Sequence, residues 1–229
     1  MLDELAHAGP EHLDPAYVER YDAKAAVDPA EEVRALRRHG LRREWTLVDF
    51  GAGTGEVAIA AARHCRRVVA VEVSPAMLAL ARDKAQRAGA ANVELVRAGF
   101  LSYRHRGAPA DAVYSRNALH QLPDFWKGMA LQRIAAVLRP GGVLRLRDLV
   151  WCFEPAEAAG WLDAWLARAP DDAARGWTAE ELATHIRDEY STYTWLLEPM
   201  LERVGFDIVE REHSPSRTFA ACVCVRRED

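Results

Sequence analysis

The stretch "VDFGAGTGEVAIA", Val48 to Ala60, decides how this chain folds. A short apolar run ends in Asp49, glycines stand at 51, 53 and 55, and an alanine-rich segment of helical character follows. Glycine has no Cβ, so a loop carrying three of them can turn sharply and bring its backbone against a ligand. A helix starting near Glu56 offers unpaired N–H groups in its first turn. Strand, glycine loop and helix in this order form a nucleotide-binding corner, and a tight turn without a ligand is the competing reading.

Two nucleotide classes fit poorly. The dinucleotide fingerprint G-x-G-x-x-G requires glycine at 56, where Glu56 places a carboxylate close to the expected pyrophosphate. A phosphate-binding P-loop needs G-K-[ST], which does not follow. The next strand, "RVVAVE", ends in Glu72, where a carboxylate can accept hydrogen bonds from both hydroxyls of a ribose. A nucleoside without a diphosphate suits both acids.

Outward from this corner, short β-branched runs alternate with helical ones, the pattern of a parallel sheet covered by helices. Strands are expected at "TLVDF" (46–50), "RVVAVE" (67–72), "VELV" (93–96), "DAVYS" (111–115) and "GVLRLRD" (142–148). Two more, "FDIVEREH" from Phe206 and "TFAACVCVR" from Thr218, flank the short "SPS" and read as an antiparallel hairpin. Ser74 before Pro75 caps one helix, Thr178 with Glu181 forms a capping box for another, and "RPGG" (139–142) ends the helix that begins near Asp124. Residues 1–40 form a helical preface, and residues 152–201 form a tryptophan-rich insert.

Composition bounds the rest. With 229 residues, 50% hydrophobic and 28% charged, the chain suits one globular α/β domain. The net charge of -4 supplies no general attraction to a phosphate backbone, which argues against nucleic acid as a partner. No apolar run approaches the length needed to span a bilayer. Four cysteines without a C-x-x-C pair fit a reducing cytoplasm. Scattered histidines and the missing H-E-x-x-H and G-x-S-x-G motifs argue against a metal site or a hydrolase triad.

Asp49, the three glycines and Glu72 together resemble the nucleoside-binding motifs of class I S-adenosylmethionine-dependent methyltransferases. The resemblance runs from about Tyr21 to Val225. It includes "VEVSPAML" (71–78) and "ADAVYSRNALHQLPDFWKGMALQRIAAVLRPGGVLRLRD" (110–148), which is similar to small-molecule methyltransferases of the ubiquinone- and menaquinone-biosynthesis type. It implies a Rossmann-like, seven-stranded, mostly parallel sheet with helices on both faces. An antiparallel C-terminal hairpin, a helical lid at 1–40 and a main domain at 41–229 complete the expected architecture, with the insert at 152–201 over the active edge. The implied cofactor is S-adenosyl-L-methionine and the implied product S-adenosyl-L-homocysteine.

By the same resemblance, Tyr21, Asp49, Gly51, Gly53, Gly55, Glu72, Val73, Met77, Gly99, Phe100, Ser115 and Arg116 bind the cofactor. Gly99 departs from the pattern, because the family carries there an acid that receives the adenine amino group. Arg116, Asn117, His120 and Tyr193 are expected to contact a small-molecule acceptor, with His120 as base because imidazole titrates near neutrality. Competing readings are an RNA- or protein-directed methyltransferase and a module that binds the cofactor without turnover.

Overall fold

The computed structural model describes residues 2–25 and 27–228; Met1 and Ala26 of the expected lid, and Asp229, lie outside the described residues. The five parallel strands are β1 (Thr46–Phe50), β2 (Arg67–Glu72), β3 (Val93–Arg97), β4 (Ala110–Arg116) and β5 (Leu138–Trp151). β1 is buried at every position and β2 at all but its first, as in a sheet covered on both faces. The antiparallel strands β7 (Phe206–His213) and β8 (Phe219–Arg226) complete the order β3-β2-β1-β4-β5-β8-β7. The expected seven-strand sheet is therefore present. An eighth strand, β6 (Thr192–Tyr193), pairs with the end of β5 and is too short to leave a period in the sequence.

β5 also begins earlier than "RPGG" implied. Arg139 Nε donates to Asp111 Oδ1 at 2.8 Å, and Leu138 pairs with Ala110 across a register shift, so the ladder continues past the proline. Gly141, at φ +68, absorbs the irregularity.

The helices are α1 (Pro15–Ala25), α2 (Pro29–Arg38), α3 (Glu56–Ala62), α4 (Pro75–Arg87), α5 (Asp124–Val137), α6 (Ala158–Leu166), α7 (Ala179–Asp188) and α8 (Thr194–Arg203). α4 starts where Ser74 Oγ accepts the Met77 N–H at 3.2 Å, and α7 starts at the reciprocal Thr178–Glu181 capping box.

The expected lid of residues 1–40 divides in two. Val33 and Leu36 of α2 are buried in one core cluster with Leu47, Val57 and Ala58, so this helix is part of the wall beneath the sheet. α1 instead lies over the carboxyl edge. Asp22 pairs with Lys84, which also binds Glu56 at 2.6 Å, while Lys24 pairs with Glu181 of the insert and lies 4.5 Å over the Trp177 ring. One turn of α1 thus ties the glycine loop to α7. Trp151 at the end of β5 and Phe153, Trp165 and Leu182 of the insert make a separate, largely aromatic cluster.

Candidate active site

Three cavities meet at the carboxyl edge, and Tyr21 and Asn117 line all of them. Asn117 ends β4 in the left-handed region at φ +48. Its N–H donates to the Arg147 carbonyl at 2.8 Å, and its Oδ1 accepts from Arg147 Nη1 at 2.9 Å. Such a conformation is uncommon outside glycine and is held here by its neighbour on β5.

The first cavity is lined by Gly51, Gly53, Glu72, Val73, Met77, Gly99 and Phe100, and also by Arg116. The glycines at 51, 53 and 55 all have positive φ, of +69, +53 and +81, which explains their type. Glu72 is fixed by the loop itself: Oε2 accepts the Gly53 N–H and Oε1 the Ser74 N–H, both at 2.9 Å. Each carboxylate oxygen has a further lone pair free to receive a hydroxyl. Phe100 stacks on Phe50 at 5.2 Å and, with Met77, gives this cavity an apolar lining suited to a flat ring.

The second cavity runs beneath α1 between Asp49, Gly51, Gly53, Tyr114 and Arg116. Burial, together with the charges of Glu72 and Glu32, pushes the Asp49 carboxyl up to about 8. Arg116 Nε and the Tyr114 hydroxyl are buried without a hydrogen-bond partner. Asp111 binds Arg139 and Asp148 binds His120, so neither acid takes Arg116. An acid awaiting a cation and a guanidinium awaiting an anion match the two ends of an amino-acid zwitterion. Ser115 is fully buried and lines none of these three cavities.

The third cavity, about 280 Å³, lies under the insert and is mostly apolar. Tyr17, Tyr21, Trp165, Trp177 and Phe219 wall it, and His120, Gln121, His185 and Glu189 supply polar groups. Tyr193, expected here, packs elsewhere: it stacks on Trp195 at 5.1 Å and meets the edge of Phe153, because β6 turns it toward the insert's own aromatic cluster.

His120 is 5% exposed and held at both nitrogens. Nδ1 donates to Asp148 Oδ1 at 2.5 Å, while the backbone N–H donates to Oδ2 at 3.1 Å. Nε2 lies 3.0 Å from Glu189 Oε2 and 3.2 Å from the Gln121 amide. Burial alone would lower its pKa, but Asp148 and Glu189 outweigh that and lift it to about 9. Burial opposes the charge on Glu189 too, yet His120 and His185 hold its pKa well below the usual carboxylate range. One ligand atom each from His120, His185 and Glu189 lie within 4.8 Å of one another, a spacing that a divalent transition metal can bridge. Here they bond among themselves.

His185 and Glu189 escaped the sequence reading because they sit far along the chain from His120; their only local signal is the i, i+4 spacing on α7 and its end. Glu4, His12 and Gln121, which also line these cavities, carried no motif.

The family described as "Methyltransferase domain" matches residues 47–142, the stretch from β1 to the start of β5. Among similar proteins, the 27-O-demethylrifamycin SV methyltransferase of Amycolatopsis mediterranei is 33% identical over 118 residues, 51% of this chain and 43% of that enzyme. An uncharacterized methyltransferase of Geobacillus kaustophilus is 28% identical over 190 residues, 82% of this chain and 81% of that protein. A SAM-dependent methyltransferase from Aquifex aeolicus shares the fold at a TM-score of 0.65 and 18% identity, covering 93% of this chain and 98% of that one.

Proposed function

The chain belongs to the class I S-adenosylmethionine-dependent methyltransferases, and from that premise we propose that it methylates a weakly acidic hydroxyl of a small, partly aromatic molecule. The observation that carries this reading is the aromatic-walled cavity sharing Tyr21 and Asn117 with the two cofactor cavities. Its volume suits a compact ring system better than an RNA strand or a protein segment. The name of the rifamycin relative, which places its own acceptor among small molecules, supports the same class.

The residues present fit the cofactor. Met77 and Phe100 would sandwich adenine, Glu72 the ribose, Asp49 the ammonium and Arg116 the carboxylate of the methionine arm, under the lid formed by α1. When bound, the cofactor supplies a methyl group on a sulfonium, already electrophilic, so that the protein's task is alignment and exclusion of water.

For a hydroxyl acceptor, neutral His120 Nε2 would take the O–H proton that methylation of the oxygen releases. Asp148 fixes the ring and stabilises the imidazolium that results. A base near pKa 9 matches an acceptor hydroxyl of phenolic acidity. The test is methyl transfer to hydroxylated aromatic compounds: His120→Asn should lose at least about 100-fold in kcat while cofactor affinity changes less than twofold. Unaltered turnover would remove His120 from the reaction.

Among the described residues no helix is long and apolar enough to cross a membrane. A cytoplasmic setting belongs to the same proposal and is supported by the free state of Cys65, Cys152, Cys222 and Cys224.

A further inference from the structure

Gly99 is the odd residue of the cofactor slot, and the N-terminal segment shows why it is glycine. A Cβ built on Gly99 would collide with the carboxylate of Glu4, whose three end atoms all lie within 2.8 Å of it. Glu4 reaches this place across 97 residues of sequence. Its Oε1 accepts the Leu101 N–H at 2.8 Å, and its Oε2 accepts the Ser102 N–H at 3.0 Å and the Ser102 hydroxyl at 2.8 Å. Two donors fill Oε2, whereas Oε1 has one and keeps a lone pair.

Glu4 lines the same cavity as Met77 and Phe100. An acceptor-only group at the rim of an aromatic slot selects a ring carrying an amino donor. We propose that Glu4 is the receptor of the adenine amino group, supplied by the N-terminal segment in place of a side chain at 99. The inference rests on reading this cleft as the nucleoside site. It also makes the first turn of the chain a part of cofactor recognition: the base is read and the N-terminal segment is held down by one carboxylate. An acidic side chain at 99 should then be able to replace Glu4 once Glu4 is removed.

The test is calorimetric titration with S-adenosylhomocysteine and with its purine analogue, in which hydrogen replaces the amino group. The native chain should favour the adenine ligand by about tenfold or more, the size of one charge-assisted hydrogen bond. Glu4→Ala should weaken the adenine ligand by a similar factor, leave the analogue within about twofold, and so erase the preference. Glu4→Ala combined with Gly99→Asp should restore it, since Gly99 has ordinary backbone geometry that aspartate can adopt. Equal weakening of both ligands by Glu4→Ala, or a double variant as indifferent as the single one, would overturn the proposal and leave Glu4 as a latch. Failure of the native chain to bind either ligand would overturn it together with the nucleoside site itself.

Discussion

His120 and Asp49 carry the electrostatic character of the site, and each gives it a pH dependence. His120, raised to about 9 between Asp148 and Glu189, is an imidazolium at neutrality, while a base must be neutral. At saturating cofactor, log kcat should therefore climb with a slope near one from about pH 7 and level off above 9, and His120→Asn should flatten the climb. A flat profile in the native enzyme would contradict the assignment. Asp49, raised to about 8 by burial, is mostly protonated at pH 7. A bound ammonium favours its ionised form, so cofactor affinity should tighten by up to about tenfold per unit as pH rises toward 8, with proton release seen in buffers of different ionisation enthalpy. Asp49→Asn should abolish both the slope and the release.

These residues differ in how they could be read. Glu72 and the glycines stand in one local motif whose backbone demands are legible, because positive φ at 51, 53 and 55 restricts residue type directly. Glu4 and Glu189 act through contacts that depend on how distant segments fold over the edge. For Tyr193 the aromatic-rich stretch marks burial, and its placement against Phe153 and Trp195 follows from the folded chain.

Among the elements, α1 lines all three cavities, and the proposed lid role is tested through its ion pairs. Its Asp22 and Lys24 reach opposite sides, to Lys84 beside the glycine loop and to Glu181 on α7. Partly exposed ion pairs contribute only about 0.5–1 kcal/mol, so Asp22→Ala should raise the cofactor KM a few-fold, more at low salt than at high, with little change in Tm. An unchanged KM would mean that the helix does not gate the cleft. Helical character in residues 1–40 does not name the partners of each helix, which explains why the preface was expected to act as one lid although α2 joins the core. β5 makes the same point in a strand: "RPGG" breaks a helix by local chemistry, but the Arg139–Asp111 contact lets strand pairing run on through it.

For the whole molecule, the order β3-β2-β1-β4-β5-β8-β7 gathers Asp49, Glu72, Arg116 and Asp148 at one edge, and this followed from alternating strands and helices. The third cavity did not, since its walls come from α1, β5, α6, α7 and β8, elements brought together only in the folded chain. Thr184→Trp, placed to fill it from α7, should raise the acceptor KM by at least about tenfold and leave cofactor binding within twofold. An equal loss of both would show that the cavities are not separate sites.

The central claim is methyl transfer to a small molecule. Its most direct measurement follows S-adenosylhomocysteine formation from methyl-labelled S-adenosylmethionine against hydroxylated aromatic compounds, RNA and protein in parallel, with the methylated product identified by mass. The account predicts turnover dependent on a small hydroxylated compound, with the label on its oxygen. Label appearing only in RNA or protein, or cofactor binding without transfer to any acceptor, would contradict it.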